Sequence, residues 1–194
     1  KIWAQRLSYV GELGYELYIK PKDAKKIYEL LIKKGKEFNI CNCGMHAMDI
    51  MRMESGFLHW GNDISPEENQ YQAGLSFTIS SKKEIDFIGK QALEKIKQKK
   101  VKTRFSMFIL KESEPGKPLL LHDEPIFEGE KIIGRSTSGN YSFNFKKNLV
   151  FGYIQNNFSN EELLKKNLYI EVEKRKYPIE LISKPLKQTN FKNN

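Results

Sequence analysis

The sequence predicts an α+β protein that ends in a small antiparallel β-barrel or sandwich, and three observations carry that expectation. Residues 1–98 mix two short alternating segments with amphipathic helical stretches. Residues 103–190 break into short strands divided by turn residues at the spacing of a small barrel or sandwich. Between them Lys95 to Lys102 is charged and poor in apolar residues, which marks a boundary and gives 1–98 and 103–190 as two domains. The 194 residues, 39% hydrophobic and 12% aromatic, suffice for a globular chain with a real core.

In chain order, residues 3–9 and 14–19 alternate as two strands joined by a glycine-containing turn, Tyr15, Leu17 and Ile19 on one face and Glu16 and Tyr18 on the other. Asp23 to Lys34 reads as a helix that buries Ala24, Ile27, Tyr28 and Leu31. Met45 to Glu54 reads as a second helix that stops at Gly56, with Asp49 and Arg52 sharing a face. Residues 57–73 read as loop, Leu75 to Ile79 as a short strand and Gly89 to Lys97 as a helix. The barrel strands are expected at 104–110, 124–127, 131–137, 141–145, 149–154, 168–173 and 176–182. Ser138-Gly139-Asn140 serves as one of the turns between them, and the asparagine-rich end frays.

Charge and motif content narrow the function. The net charge is +9, but only five of the 33 basic residues are arginine, and the lysines are spread along the chain. Phosphate forks and base readout favour arginine, so nucleic acid is not the expected partner. A positive field suits an anionic small ligand. No apolar run reaches the roughly 20 residues of a membrane span. Cys41 and Cys43 form a C-x-C pair without a second pair, a poor zinc site even with His46 nearby, and no metal is expected. Walker, G-x-S-x-G and G-x-G-x-x-G motifs are all missing, so a flavin would be bound by another segment. The chain opens directly in strand-like sequence, which predicts a fragment of a longer protein.

Several side chains have two readings. Glu16 is either an outward strand residue paired with a lysine or a carboxylate that accepts two parallel hydrogen bonds from a heterocycle edge. Tyr15 reads as core, and Tyr9 is open because hairpin register decides its face. Arg52 is an anchor for a ligand or for Glu16, or else an Asp49 surface pair. Trp60 walls a pocket or covers the core. Asn62 and Asp63 read as turn formers, and His59 lacks a visible acid partner.

Six collinear motifs carry a family resemblance. Tyr9 to Leu17 resembles a "GYTGExGxE" strand pair, and Met51 to Gly56 an "LRLExG" helix end. Gly61-Asn62-Asp63-Ile64 with Ala73-Gly74-Leu75, Asp86 to Leu93, Gly134 to Gly139 and Gly152-Tyr153-Ile154 follow in order. Together they resemble the glycine-cleavage T-protein (aminomethyltransferase) family. His59-Trp60-Gly61, His122 to Ile126 and Ser138 to Ser142 look more like the folate domain fused to sarcosine and dimethylglycine dehydrogenases.

The resemblance implies the second half of a folate-binding α/β domain followed by the C-terminal barrel. It implies that tetrahydrofolate is gripped by Glu16, lined by Tyr9, Trp60 and Phe191, and fixed with the help of Arg52. It implies capture of an imine-derived one-carbon unit from a small methylated amine as methylenetetrahydrofolate, with FAD in a domain outside this chain. The alternatives are a T-protein acting on a lipoyl-bound aminomethyl group and a non-catalytic regulatory relative. The family's aspartate near the reacting folate nitrogen would lie upstream of Lys1, so no catalytic residue is assigned here. Phe191 stands where the family often carries tyrosine. The implied compartment is bacterial cytoplasm or mitochondrial matrix.

Overall fold

The structure, a computed structural model, describes residues 1–80, 86–99 and 101–187. These form two compact units, residues 1–57 with Lys187, and residues 58–186.

In the first unit, strands β1 (Trp3–Gln5) and β2 (Glu16–Tyr18) form an antiparallel ribbon in which Gln5 faces Glu16 and Trp3 faces Tyr18. The ribbon is shorter than the alternating sequence implies. The residues between fold into a turn-rich loop, where buried Gly11 has a positive φ of 68° that only glycine adopts readily. All six strand residues are exposed. Tyr15, expected in the core, is 61% exposed.

Helix α1 (Pro21–Gly35) starts on a proline, carries Asp23 in its first turn and ends on Lys33 and Lys34, so its charges follow the macrodipole. The apolar stripe is not buried as expected. Tyr28, Leu30 and Leu31 are each 43% exposed or more, because no described element packs over that face. Helix α2 (Met45–Glu54) has the expected limits, and Gly56 at φ 73° closes it.

In the second unit, Leu75 to Ile79 is not a strand. Residues Ser76–Thr78 make a single 3-10 turn, closed by the Thr78 hydroxyl on the Leu75 carbonyl. Helix α3 (Lys90–Gln98) then runs into the segment expected to be a linker.

A closed barrel follows: β3 (Thr103–Leu110), β4 (Pro125–Glu128), β5 (Lys131–Ser142), β6 (Lys147–Gln155), β7 (Leu168–Val172) and β8 (Arg175–Ile182), with neighbours in the order β3-β6-β5-β4-β7-β8. Every pairing is antiparallel. Phe108, Leu110, Ile126, Ile133, Val150, Ile154, Ile170 and Ile179 fill its interior.

In place of the two strands expected at 131–137 and 141–145 there is one strand that ends at Ser142, with residues 143–145 in the following turn, and Ser138-Gly139-Asn140 lies within the strand rather than in a turn. A β-bulge absorbs the irregular residues: Ser136 pairs with Gly152 and Ser138 with Phe151, leaving Thr137 as the extra residue. Gly139 is required there because a Cβ would collide with the Leu120 side chain. Short helix α4 (Asn160–Leu164), unforeseen from sequence, is set by a Ser159–Glu162 capping box.

Candidate functional site

In the first unit the site residues sit on the β1–β2 ribbon, its connecting loop and the end of α2. Glu16 is exposed on β2, and the Tyr18 hydroxyl donates to its Oε2 at 3.0 Å. That contact pushes the exposed Tyr18 phenol above its ordinary pKa, because the nearby carboxylate disfavours phenolate. Trp3 lies against the same ring, with centroids 5.3 Å apart. Glu16 therefore stands beside the Tyr18 ring, which in turn packs on Trp3, and among the described residues its side-chain donor is Tyr18. A carboxylate with an open oxygen retains room to accept further donors.

Arg52 is not a surface ion-pair residue. Its side chain is 1% exposed, its Nε donates to Asp49 Oδ1 at 2.8 Å, and its Nη1 donates to the Phe57 carbonyl at 3.1 Å. The Phe57 ring stacks on Tyr9 with centroids 6.2 Å apart and planes 16° from parallel. The helix end, the post-helix turn and the Tyr9 ring are thus linked in one set of contacts, with Tyr9 half-buried. Buried Met53 and Glu54 complete this end of α2.

The connecting loop borders an open cleft of about 340 Å³ lined by Arg6, Leu7, Ser8, Glu12, Leu13 and Gly14. That volume falls in the range of small-molecule clefts. Glu16 and Arg52 are not among its lining residues.

Trp60 belongs to the second unit and is 66% exposed, so it does not cover the core. The residue that anchors its loop is Asp63, read from sequence only as a turn former. Asp63 is 1% exposed. Its Oδ1 accepts from the Thr137 hydroxyl at 2.5 Å and the Ser138 hydroxyl at 2.8 Å, and its Oδ2 accepts from the His59 backbone N–H at 2.9 Å. Its carbonyl accepts from the Tyr153 hydroxyl at 2.9 Å. Burial, with Glu68 and Asp63 nearby, pushes the Tyr153 phenol well above its ordinary value. The sequence signal for this cluster was the hydroxyl pair Thr137-Ser138, but only the bulge shows why two consecutive residues reach one carboxylate.

Phe191 lies outside the described residues. Cys41 and Cys43 are exposed and free, and among the described residues no group of three or more His, Cys, Asp or Glu side chains could hold a metal ion. No helix among them is long and apolar enough to cross a membrane.

Comparison with known proteins agrees with the fold. The family model described as the GCVT N-terminal domain matches residues 1–83, and the glycine cleavage T-protein C-terminal barrel domain matches residues 104–187. Human mitochondrial dimethylglycine dehydrogenase is 35% identical over 185 residues, which is 95% of this chain and 21% of that protein. Human mitochondrial sarcosine dehydrogenase is 31% identical over 78% of this chain and 16% of its own length. An aminomethyltransferase from Halothermothrix orenii is 34% identical over 80% of this chain and 42% of its own length. The crystal structure of the glycine cleavage system aminomethyltransferase T from Bartonella henselae shares the fold, with a TM-score of 0.82 at 22% identity, over 96% of this chain and 50% of that one. The chain spans half or less of each of these relatives. On the two family models and these relatives, the chain belongs to the glycine-cleavage T-protein (aminomethyltransferase) family.

Proposed function

We propose that this chain is the tetrahydrofolate-binding part of a one-carbon transfer enzyme, which captures an imine-derived unit from sarcosine or dimethylglycine oxidation as methylenetetrahydrofolate. The observation that carries the reading is the exposed Glu16 carboxylate, set on a strand and held by the Tyr18 hydroxyl, whose ring packs on Trp3. A pterin edge offers adjacent N–H donors, and two charge-assisted bonds to one carboxylate contribute roughly 1.5–3 kcal/mol each. Bound tetrahydrofolate supplies the nitrogen nucleophiles that take up the carbon.

The residues of this chain bind and orient. Glu16 fixes the heterocycle edge and Tyr9 lines the ring. Arg52 acts through its neighbours, since its donors hold Asp49 and the Phe57 carbonyl and thereby set the Phe57–Tyr9 stack. The lysine-rich surface favours approach of an anionic ligand.

The flavin and the group that moves protons at the reacting nitrogen are assigned to other parts of a longer polypeptide. The exposed apolar side chains of α1 support such a covering segment: Tyr28, Leu30 and Leu31 are 51%, 50% and 43% exposed. The His59-Trp60-Gly61 signature favours the dehydrogenase context over a lipoyl-dependent T-protein. The compartment in this reading is the mitochondrial matrix or a bacterial cytoplasm.

Titration calorimetry with tetrahydrofolate on the full-length protein tests the assignment. Wild-type protein is expected to bind, and Glu16→Gln to weaken binding at least tenfold, about 1.4 kcal/mol. Unchanged affinity removes Glu16 from the site, and a wild-type protein that does not bind overturns the folate reading.

A further inference from the structure

Cysteine is among the residue types most often buried, yet both cysteines of this chain are exposed, and they stand one residue apart. The segment that carries them, residues 40–44, joins the end of α1 and its following turn to α2 and contains no helix or strand. Its two ends are fixed. At one end, after a single 3-10 turn at Lys36–Phe38, the Ile40 N–H donates to the Gly35 carbonyl at 3.0 Å. The Ile40 side chain packs so closely over Gly35 that a Cβ there would collide with it. At the other end the Gly44 carbonyl accepts from the Ala47 and Met48 N–H groups in the first turn of α2, at 3.1 and 3.3 Å. Residues 41–43 bridge these two points. The middle residue is tied down as well, because Asn42 Nδ2 donates to the Tyr28 hydroxyl of α1 at 2.7 Å.

A bridge held at its ends and its midpoint keeps the two thiols together. The Cys43 thiol donates to the Cys41 sulfur, and that bond, followed by the charge of a Cys41 thiolate, pushes Cys43 up from its ordinary pKa. The pair is therefore unequal, with Cys43 keeping its proton beside Cys41. Since the thiolate and not the thiol is the nucleophile, attack starts from Cys41. Approach is open, for a Cβ on the neighbouring Gly44 would meet nothing within 4 Å. Lys33, Lys34 and Lys36 precede the segment in sequence and favour an anionic reagent. Two sulfurs without a third donor are too small a set for a structural zinc site, and among the described residues none supplies that donor.

We propose that Cys41 and Cys43 form a dithiol modification site, which exchanges with low-molecular-weight disulfides such as oxidised glutathione and closes to an internal disulfide. The Cys41 thiolate attacks one sulfur of the incoming disulfide, its S–S bond breaks, and one thiolate leaves with the electron pair. A mixed disulfide remains on Cys41. Cys43 then loses its proton to solvent and attacks the Cys41 sulfur, which releases the second small thiolate. The protein dithiol gives up two electrons and two protons, and the reagent disulfide becomes two thiols. Thiols held in contact have a high effective concentration for the second step, so the mixed disulfide is short-lived. Asn42 and Tyr28 are positioning residues that act through the bridge. The site belongs to the first unit by itself, and its chemistry is independent of folate.

The test equilibrates the full-length protein with reduced and oxidised glutathione at set ratios, traps free thiols with iodoacetamide and digests with trypsin without reductant. The peptide of residues 37–52, which contains both cysteines and ends at Arg52, is then followed by mass spectrometry. Wild type is expected to convert to the internal disulfide, two hydrogens lighter than the dithiol, with the mixed disulfide a minor species. Cys43→Ser should stop at glutathione bound to Cys41. In wild type trapped early, fragmentation should find glutathione on Cys41 roughly fivefold more often than on Cys43. Tyr28→Phe, which removes the acceptor for Asn42 from an exposed position, should raise the ratio of mixed to internal disulfide about twofold to fivefold. A peptide that stays reduced in oxidised glutathione alone, or that collects mixed disulfide without closing, overturns the proposal. Equal labelling of the two sulfurs overturns Cys41 as the attacking group, and an unchanged ratio in Tyr28→Phe overturns the positioning role of the Asn42–Tyr28 bond.

Discussion

Tyr153 shows how one buried hydroxyl ties pH to stability. Its O–H donates to the Asp63 carbonyl, and burial raises its pKa from an ordinary 10.0. A phenol whose folded pKa lies above its unfolded one contributes stability that is fully present below about pH 10 and is lost as pH rises through the folded value. Denaturant unfolding from pH 7 to 11 is expected to show a falling stability on the alkaline side, and Tyr153→Phe should remove part of that slope while lowering stability at pH 7. An identical slope in the variant would assign the alkaline loss to other groups. Glu16 presents a different case, because nothing in its local sequence distinguishes a binding carboxylate from an ordinary strand glutamate. The structure adds that Glu16 is exposed and held by Tyr18, and that Arg52, legible only as a partner of Asp49, is buried and also holds the Phe57 carbonyl. Neither fact could be read from spacing, since both depend on what packs over the residue.

Among the elements, α2 was readable to the residue because its apolar spacing and Gly56 agree. The β5 strand was not. Ser138-Gly139-Asn140 has turn chemistry, and local sequence cannot show that β6 and Leu120 on either side force it into a strand. Gly134 makes the same point, since a Cβ there would overlap the Tyr153 carbonyl oxygen and the Ile154 Cα across the sheet. Gly134→Ala is expected to destabilise the protein by about 1–3 kcal/mol by forcing the strands apart, measured as a lower denaturant midpoint; a midpoint equal to wild type would mean the β5–β6 spacing is not fixed there. Helix α4 is too short to stand on propensity and depends on its capping box. Ser159→Ala should cost about 1 kcal/mol and speed amide exchange in residues 160–164, and unaltered exchange would show that packing of Leu163 alone holds the helix.

For the whole molecule, the barrel region was legible because turn residues and apolar alternation recur through residues 103–182, whereas its closure with six strands rather than the seven expected, and their order, rest on pairings that local sequence does not encode. The burial expected of α1 was not found, because an amphipathic pattern states which face wants cover and not what supplies it. Phe108, fully buried at the barrel centre, sets the scale of core packing: Phe108→Ala is expected to cost about 3–5 kcal/mol in equilibrium unfolding, and a cost under about 1 kcal/mol would mean the cavity collapses. The account as a whole stands on where a pterin ring docks. A crystal structure of the full-length protein with tetrahydrofolate is predicted to show the heterocycle edge donating to the Glu16 carboxylate at about 2.8 Å, with the Tyr9 ring alongside. A pterin bound elsewhere, with Glu16 touching only Tyr18 and water, would contradict it.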